Sequence, residues 1–555
     1  MVERNEALPG PMHGNTPSGR LRRVFAGGFA AMLGATLLLA AGGLLSSCAA
    51  PVSPQAQLST TPVTLRVQRA WSDEIIYFVL IDRYADGDAT GGAHAALDNP
   101  GAWHGGDLRG LRLQLDEIAS LGATAIWINP VVKQIDAPVR AQGTAGSGWE
   151  GSFEHWGFHG YWADDFQRLE PRLGTEADLK ARVDAAHARG LKVLLDVVYN
   201  HVGYGARYLT DPGTRHWLRA RQDDCTVDPL TCAVGGLPDL RTELPEVREY
   251  LFSAHIGLAR RTGVDGFRLD TVKHVGHDFW QAQRARTRAE LGRSFFLLGE
   301  VWGGSQEALA PWFAGDEMDA GFDFSFKGSC RGFVEGKGRT VAFAAYLMKR
   351  HQVRHGHQLA HYLSSHDEPM LLHELGDDRR KFMLCAALQM TSVGIPVIYY
   401  GEEVGRRGGA WPSNRGDMPW GGRGIAPGKG VPRDEALRVY YRRLIALRHA
   451  HPALARGTFR ALATDGDLLV FAREDEVSGD AVVVAINRGV EPAVADLPLP
   501  DLWRGQVVQE ALNDAVVEAQ DGRLALKLPP RSAQVYVTQP RTRSAIAWPT
   551  SASGT

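Results

Sequence analysis

Three carboxylates fall where they could do chemistry together. Asp270, Glu300 and Asp367 each close a short run: Gly266-Phe267-Arg268-Leu269-Asp270, Leu297-Leu298-Gly299-Glu300 and Ser364-Ser365-His366-Asp367. If those runs are strands of one parallel barrel, their carboxyl ends open on the face where such barrels hold catalytic groups. Acids converging there repel one another, so they imply a reaction, a bound cation or compensating basic side chains. Arg268 precedes Asp270 by two residues, and in an extended strand both side chains point the same way. Its guanidinium would keep Asp270 ionised, whereas nearby carboxylates and desolvation would raise Glu300 until it carries a proton. One carboxyl kept ionised and another beside it poised to donate a proton are the parts of a reaction rather than of a packed core.

The elements that must position these groups are legible as alternation. From Ser72 to about Gly401, short apolar runs (Ile75-Ile81, Thr124-Ile128, Leu191-Tyr199, Asp265-Asp270, Phe295-Glu300, Gly321-Phe326, His361-Asp367 and Val397-Tyr400) are separated by helix-period segments. The helical segments include Leu111-Leu121, Glu176-Arg189, Pro245-Thr262, Phe279-Leu291 and Arg379-Thr391. Strands buried on both faces read as continuous apolar runs, so eight of them predict a parallel (β/α)₈ barrel of the α/β class. It occupies 71–450. Two connections are long, Val131-Asp165 and His201-Pro245, and the second predicts a small inserted lobe at about 201–245. Beyond about Leu454 the texture turns to short strand-like runs, which predicts a C-terminal antiparallel β-sandwich over 451–538 and an unstructured tail over 539–555.

Composition narrows the partners. The 555 residues carry a net formal charge of -2 with both signs interspersed, which excludes a nucleic-acid face. Only 22% of residues are charged, which points to a neutral or small ligand. At the N-terminus, Arg20, Arg22 and Arg23 precede an uncharged apolar run from Val24 to about Leu45, closed by Leu45-Ser46-Ser47-Cys48. This resembles a bacterial lipoprotein signal with Cys48 as the lipidated residue; the competing reading is a transmembrane anchor. Residues 1–48 are thus expected to be a targeting segment and 49–70 a flexible tether. The protein is then exported and held at a membrane, the outer one favoured, by lipid alone. Cys225 and Cys232 are close enough in sequence to form a small disulfide loop in an oxidising compartment, and Cys330 and Cys385 read as buried thiols.

The motifs, taken in order, resemble the α-amylase family of glycoside hydrolases. They are Asp196-Val197-Val198-Tyr199-Asn200-His201, Gly266 to His274, Gly299-Glu300-Val301-Trp302 and Tyr362 to Asp367; His159-Gly160-Tyr161-Trp162 and Leu237-Pro238-Asp239-Leu240 also match. The resemblance implies a retaining double displacement on α-1,4-glucosidic bonds of starch or maltodextrins. Asp270 is then the nucleophile, Glu300 the acid and base, and Asp367 the carboxylate that grips the sugar being cleaved. It also implies that Tyr161, His201 and His366 hold that sugar, that Lys273 and His274 contact the glucose beyond the scissile bond, and that Asp196 orients Arg268. A Ca²⁺ is implied at Asn200, Asp239 and the His274 carbonyl. A second is implied at Asp86, Asp88, Gly105 and Asp107, although Gly91 and Gly92 stand where related enzymes carry ligating Asn residues. The rival readings are a transglycosylase of the cyclodextrin glucanotransferase kind and a non-catalytic glucan-binding surface protein. The expected state is a monomer.

Overall fold

Eight short strands close a parallel barrel because almost every residue in them is apolar and buried. They are β1 Ile76–Val79, β2 Ala125–Ile128, β3 Lys192–Val197, β4 Gly266–Leu269, β5 Phe296–Gly299, β6 Ala320–Phe322, β7 Gln358–Tyr362 and β8 Ile395–Tyr399. In the computed structural model, which describes residues 69–87, 96–149, 151–503, 507–512, 515–517, 519–520 and 522–538, these strands follow one another around the barrel in chain order. Cys48 and Asp88 lie outside the described residues, as do 1–48, most of the tether and the 539–555 tail. Among the described residues no helix is long and apolar enough to cross a membrane.

Local chemistry sets the helix limits. Thr175 and Asp178 form a reciprocal capping box at the start of helix Glu176–Ala188. Helix Pro245–Thr262 begins on proline, whose missing N–H is not needed there, and stops at Gly263, which takes a left-handed backbone (φ 78°).

Two strand expectations need correction. β7 ends at Tyr362, so Asp367 stands in a loop rather than at a strand end. The hydroxyls explain it: Ser364 Oγ accepts from the Leu371 N–H at 3.0 Å and Ser365 Oγ from the Asp367 N–H at 3.2 Å, closing a turn in place of a ladder. Likewise Gly321-Phe326 is strand only to Phe322. Asp323 Oδ1 then takes the Ser325 N–H at 3.1 Å, and a helix runs from Ser325 to Val334.

The two long connections differ in texture. The one after β2 carries two small antiparallel pairs, Val132–Gln134 with Ala163–Leu169 and Val139–Gln142 with Ser152–His155. The inserted segment after β3 is built from single-turn 3₁₀ helices and two isolated bridges, His201 to Asp239 and Leu218 to Leu240.

The C-terminal domain is antiparallel, as expected: β9 Thr458–Ala463, β10 Leu468–Asp475, β11 Asp480–Asn487, β12 Ala493–Pro498, β13 Val508–Glu510, β14 Ala515–Val517, β15 Ala519–Gln520, β16 Arg523–Leu528 and β17 Ser532–Thr538. In its larger sheet, β9-β10-β11-β17-β13-β14, the strands β10 and β11 are buried on both faces. Leu468 and Val470 face the smaller sheet, β12-β16-β15, while Leu469 and Phe471 alternate onto the barrel's core. Buried arginines fasten this junction. Arg473 donates to the carbonyls of Thr391, Leu454, Gly457 and Thr458, and Arg448 to those of Met390, Ser392, Gly394 and Leu454.

Candidate active site

The carboxyl ends of the strands bring Asp270, Glu300 and Arg268 together. Arg268 Nη1 lies 2.5 Å from Asp270 Oδ1 and 3.1 Å from Asp196 Oδ1, and its Nη2 lies 3.8 Å from Glu300 Oε2. One guanidinium therefore spans both candidate reactive carboxylates. Asp196 is held away from open space: its Oδ2 accepts from Tyr161 Oη at 2.7 Å and Trp127 Nε1 at 3.1 Å. Beneath these groups the rings of Phe78 and Trp127 stack at 3.5 Å, with Phe322 5.5 Å from Trp127. This apolar floor strips water from the acids above it. Burial, with further help from the charges of Asp270 and Asp367, pushes Glu300 up to about 8 against the pull of Arg268. Glu300 is thus protonated at neutral pH. The N–H of Thr271 donates to its Oε2 at 2.8 Å, which leaves Oε1 to carry the proton.

Asp367 is the most open of the three, with 32% of its side-chain surface exposed at a cleft that Glu300, Arg268 and His366 also line. Against the desolvation of the cleft, the charges of His366, Arg415 and Arg268 hold its carboxyl below the usual range. Burial itself drives His366 down to about 3, so at neutral pH the arginines supply the charge. His366 Nε2 sits 3.2 Å from Asp367 Oδ2, and its ring stacks on Tyr161 at 5.3 Å. His201, also lowered by burial, points Nε2 at the Tyr161 carbonyl, 3.2 Å away. Lys273 is half-buried one residue before His274, whose Nδ1 lies 2.8 Å from the Pro229 carbonyl. Because a carbonyl only accepts, His274 carries its proton on Nδ1 and offers Nε2 as an acceptor. Pro229 belongs to the loop closed by the Cys225–Cys232 disulfide.

Three neighbours were given no role from the sequence. Arg415 donates to Asp367 Oδ1 at 3.1 Å and to the His366 carbonyl at 2.8 Å. Trp127 forms the floor. Trp302, 47% exposed, stands two residues after Glu300 with Phe324 at 5.1 Å. An exposed tryptophan beside a predicted acid was the available signal for the last; nothing in the sequence tied Arg415 to Asp367, 48 positions away.

The expected cation ligands also divide. The amide end of Asn200 lies 3.2 Å from Asp239 Oδ1 and 3.0 Å from the His274 carbonyl, all three residues being buried. With its nitrogen turned inward Asn200 donates to both; with its oxygen inward, three oxygens converge as a hard cation would gather them. Burial pushes Asp239 up to about 7, although Arg219 Nε lies 2.7 Å from its Oδ2. That carboxylate is short of positive charge, so the donor set fits Ca²⁺. At the other turn, Asp107 caps the helix that starts at Leu108 through the Gly110 N–H (2.6 Å) and also takes the Gly87 N–H at 3.3 Å. Gly105 there donates its N–H to Asp82 at 3.0 Å, and the Asp86 N–H goes to the Ala426 carbonyl at 2.8 Å. Cys225, Cys232 and His274 cluster as well, but both sulfurs are spent in the disulfide.

Comparison with known proteins identifies the family to which the barrel and the C-terminal domain belong. The family described as alpha amylase, catalytic domain, matches residues 78–224 and 229–419, and the alpha-amylase C-terminal domain matches 457–536. A cyclomaltodextrinase of a Bacillus species is 30% identical over 77% of this chain and 75% of its own length. Neopullulanase 2 of Thermoactinomyces vulgaris is 28% identical over 83% of this chain and 77% of its own. Among solved structures, an α-amylase from Geobacillus thermoleovorans in complex with acarbose is 30% identical, with a TM-score of 0.73 over 86% of this chain and all of that one. The chain belongs to the α-amylase family.

Proposed function

We propose that the protein is a retaining glycoside hydrolase acting on the α-1,4-glucosidic bonds of starch or maltodextrins. The observation that carries this reading is the single Arg268 guanidinium shared by Asp270 and by a Glu300 raised to about 8. The Asp270 carboxylate attacks the anomeric carbon as the glycosidic bond breaks, and Glu300 gives its proton to the departing oxygen. Glu300, now ionised, takes a proton from water as the water oxygen attacks the same carbon and releases Asp270. Asp367, steadied by Arg415, grips hydroxyls of the sugar being cleaved, Tyr161 and His366 flank its ring, and His201 stands beside it. Beyond the bond, Lys273 and the Nε2 of His274 receive the leaving glucose. A transglycosylase would use the same groups with a sugar hydroxyl in place of water.

The test is a time course on maltoheptaose with mass analysis of an Asp270 peptide trapped by a fluorinated glucosyl donor. Shorter products and a glucosyl group on Asp270 are expected. Label elsewhere, or no turnover, sinks the reading, and early longer or cyclic products would move it to transfer.

We propose further that Asn200, Asp239 and the His274 carbonyl hold Ca²⁺. The ion would supply the positive charge that Asp239 lacks and pin the inserted segment to the strand-β4 loop that carries His274. A second ion at Asp86, Gly105 and Asp107 would have to share Asp107 with the helix cap. The Leu45-Ser46-Ser47-Cys48 motif supports export and lipid anchoring at Cys48.

A further inference from the structure

The loops after β2 and β8 meet across the end of β1, and they are bonded where they meet. Thr144 Oγ1 donates to the Trp411 carbonyl at 2.5 Å, and Ser413 Oγ donates to the carbonyl of Ser147. The Trp411 ring packs 5.2 Å from Phe153. Backbone meets backbone too: a Cβ on Gly409 would stand 2.3 Å from the Gly146 carbonyl oxygen. Two residues past Ser413, Arg415 binds Asp367, so the clasp is continuous with the carboxylate that grips the retained sugar.

Barrel order gives the substrate a direction. The strands run sequentially around the barrel, so β8, β1 and β2 lie across from β4 and β5. Glu300 follows β5 and protonates the departing oxygen, so the leaving chain exits over β4 and β5, past Lys273 and His274. The retained chain must extend the other way, its non-reducing end toward the clasp.

Resting on the hydrolytic reading above, we infer that this clasp ends the cleft on the retained side. The enzyme takes glucans from their non-reducing ends and releases a mono- or disaccharide, rather than cutting within the chain. A continuous chain could pass only by parting the two loops.

Two substrates test it: maltoheptaose, and maltoheptaose whose non-reducing terminal glucose is blocked as a 4,6-O-benzylidene acetal. Wild type should release glucose or maltose early from the free chain and cleave the blocked one slower by on the order of a hundredfold. Equal rates on both, with mid-chain products, would overturn the clasp. Turnover of neither chain by folded enzyme would instead overturn the hydrolytic reading. The double variant T144A/S413A should cleave the blocked chain several-fold faster relative to the free one; an unchanged ratio puts the barrier elsewhere and also overturns the inference. The wild-type comparison decides the matter even if that variant does not fold.

Discussion

At the upper end of the barrel Arg268 is 2% exposed and spends its charge on Asp196, Asp270 and Glu300; at the lower end Arg473 is 0% exposed and spends its hydrogen bonds on four backbone carbonyls. Burial alone lowers both guanidiniums. The carboxylates, with Tyr161, more than reverse this for Arg268, whereas Arg473 falls to about 9 and Arg448 beside it does the same. The lower pair are compensated by dipoles, since the carbonyls of Met390 and Thr391 are the negative end of helix Arg379–Thr391. Carbonyls do not titrate in the working range of a protein. Carboxylates do, and three of them around one arginine leave a proton that can be handed over. The same buried residue type therefore makes a reactive centre above and an inert fastening below.

The strongest way to break this comparison is to neutralise Glu300. Glu300→Gln keeps the shape and removes the proton, so kcat/KM on maltoheptaose should fall by roughly 10⁴-fold, the upper range for general acid–base help. The thermal midpoint should not fall. A loss of less than tenfold would mean that another group protonates the leaving oxygen. Arg473→Met is the converse. It takes the Arg473 donors from the carbonyls of Thr391, Gly457 and Thr458, while Leu454 keeps Arg448, at about 3 kcal/mol in all, and kcat/KM at 25 °C should stay within about twofold. Calorimetry should show the midpoint falling by several degrees. If activity falls as much as stability, the lower junction is not separate from the chemistry.

Protons sharpen the contrast at an intermediate scale. Glu300 must be protonated to act, so kcat/KM should decline as pH rises through about 8. Stability carries the same sign. The folded-state value lies above the ordinary 4.5 of an unfolded glutamate, so the folded protein binds the extra proton between 4.5 and about 8. The contribution is fully present below that window and is lost as pH rises through it. Glu300→Gln should therefore melt like wild type at pH 4 and above it at pH 9. Parallel melting curves at both pH values would show that burial does not strain the ionised form.

The upper site was largely legible because Asp270 directly follows the strand that carries Arg268, and Glu300 directly follows the next one. Period and spacing place such residues without knowledge of the loops. Pro245–Thr262 and Arg379–Thr391 were legible to the residue because proline, glycine or an aspartate cap marks an end of each. Asp367 was found, but for a partly wrong reason: Leu363 and Ser364 are as buried as a strand although the ladder has stopped, and burial alone cannot separate the two. The clasp between Thr144 and Trp411 was not legible. Its partners are 267 positions apart, and each looks locally like an ordinary polar turn. The lower junction was hidden too, because an arginine bound only by carbonyls leaves no acidic partner in the sequence to betray it.

The smallest expected effect tests how finely the upper site is set. Thr271, directly after Asp270, holds a left-handed backbone at φ 47° and ψ 42°, a costly place for a β-branched residue. That conformation points its N–H at Glu300 Oε2. Its hydroxyl, meanwhile, is buried without a hydrogen-bond partner among the described residues. Thr271→Gly keeps the N–H and removes both the steric cost, about 1–2 kcal/mol, and the idle hydroxyl. The glycine's extra freedom in the unfolded chain offsets about 0.5–1 kcal/mol of that gain. The midpoint should therefore rise by roughly one to three degrees, with the alkaline limb of kcat/KM unmoved. A shifted limb would show that the threonine side chain, rather than its backbone, governs the Glu300 proton. A lower midpoint would show that the strain is repaid by contacts of the side chain.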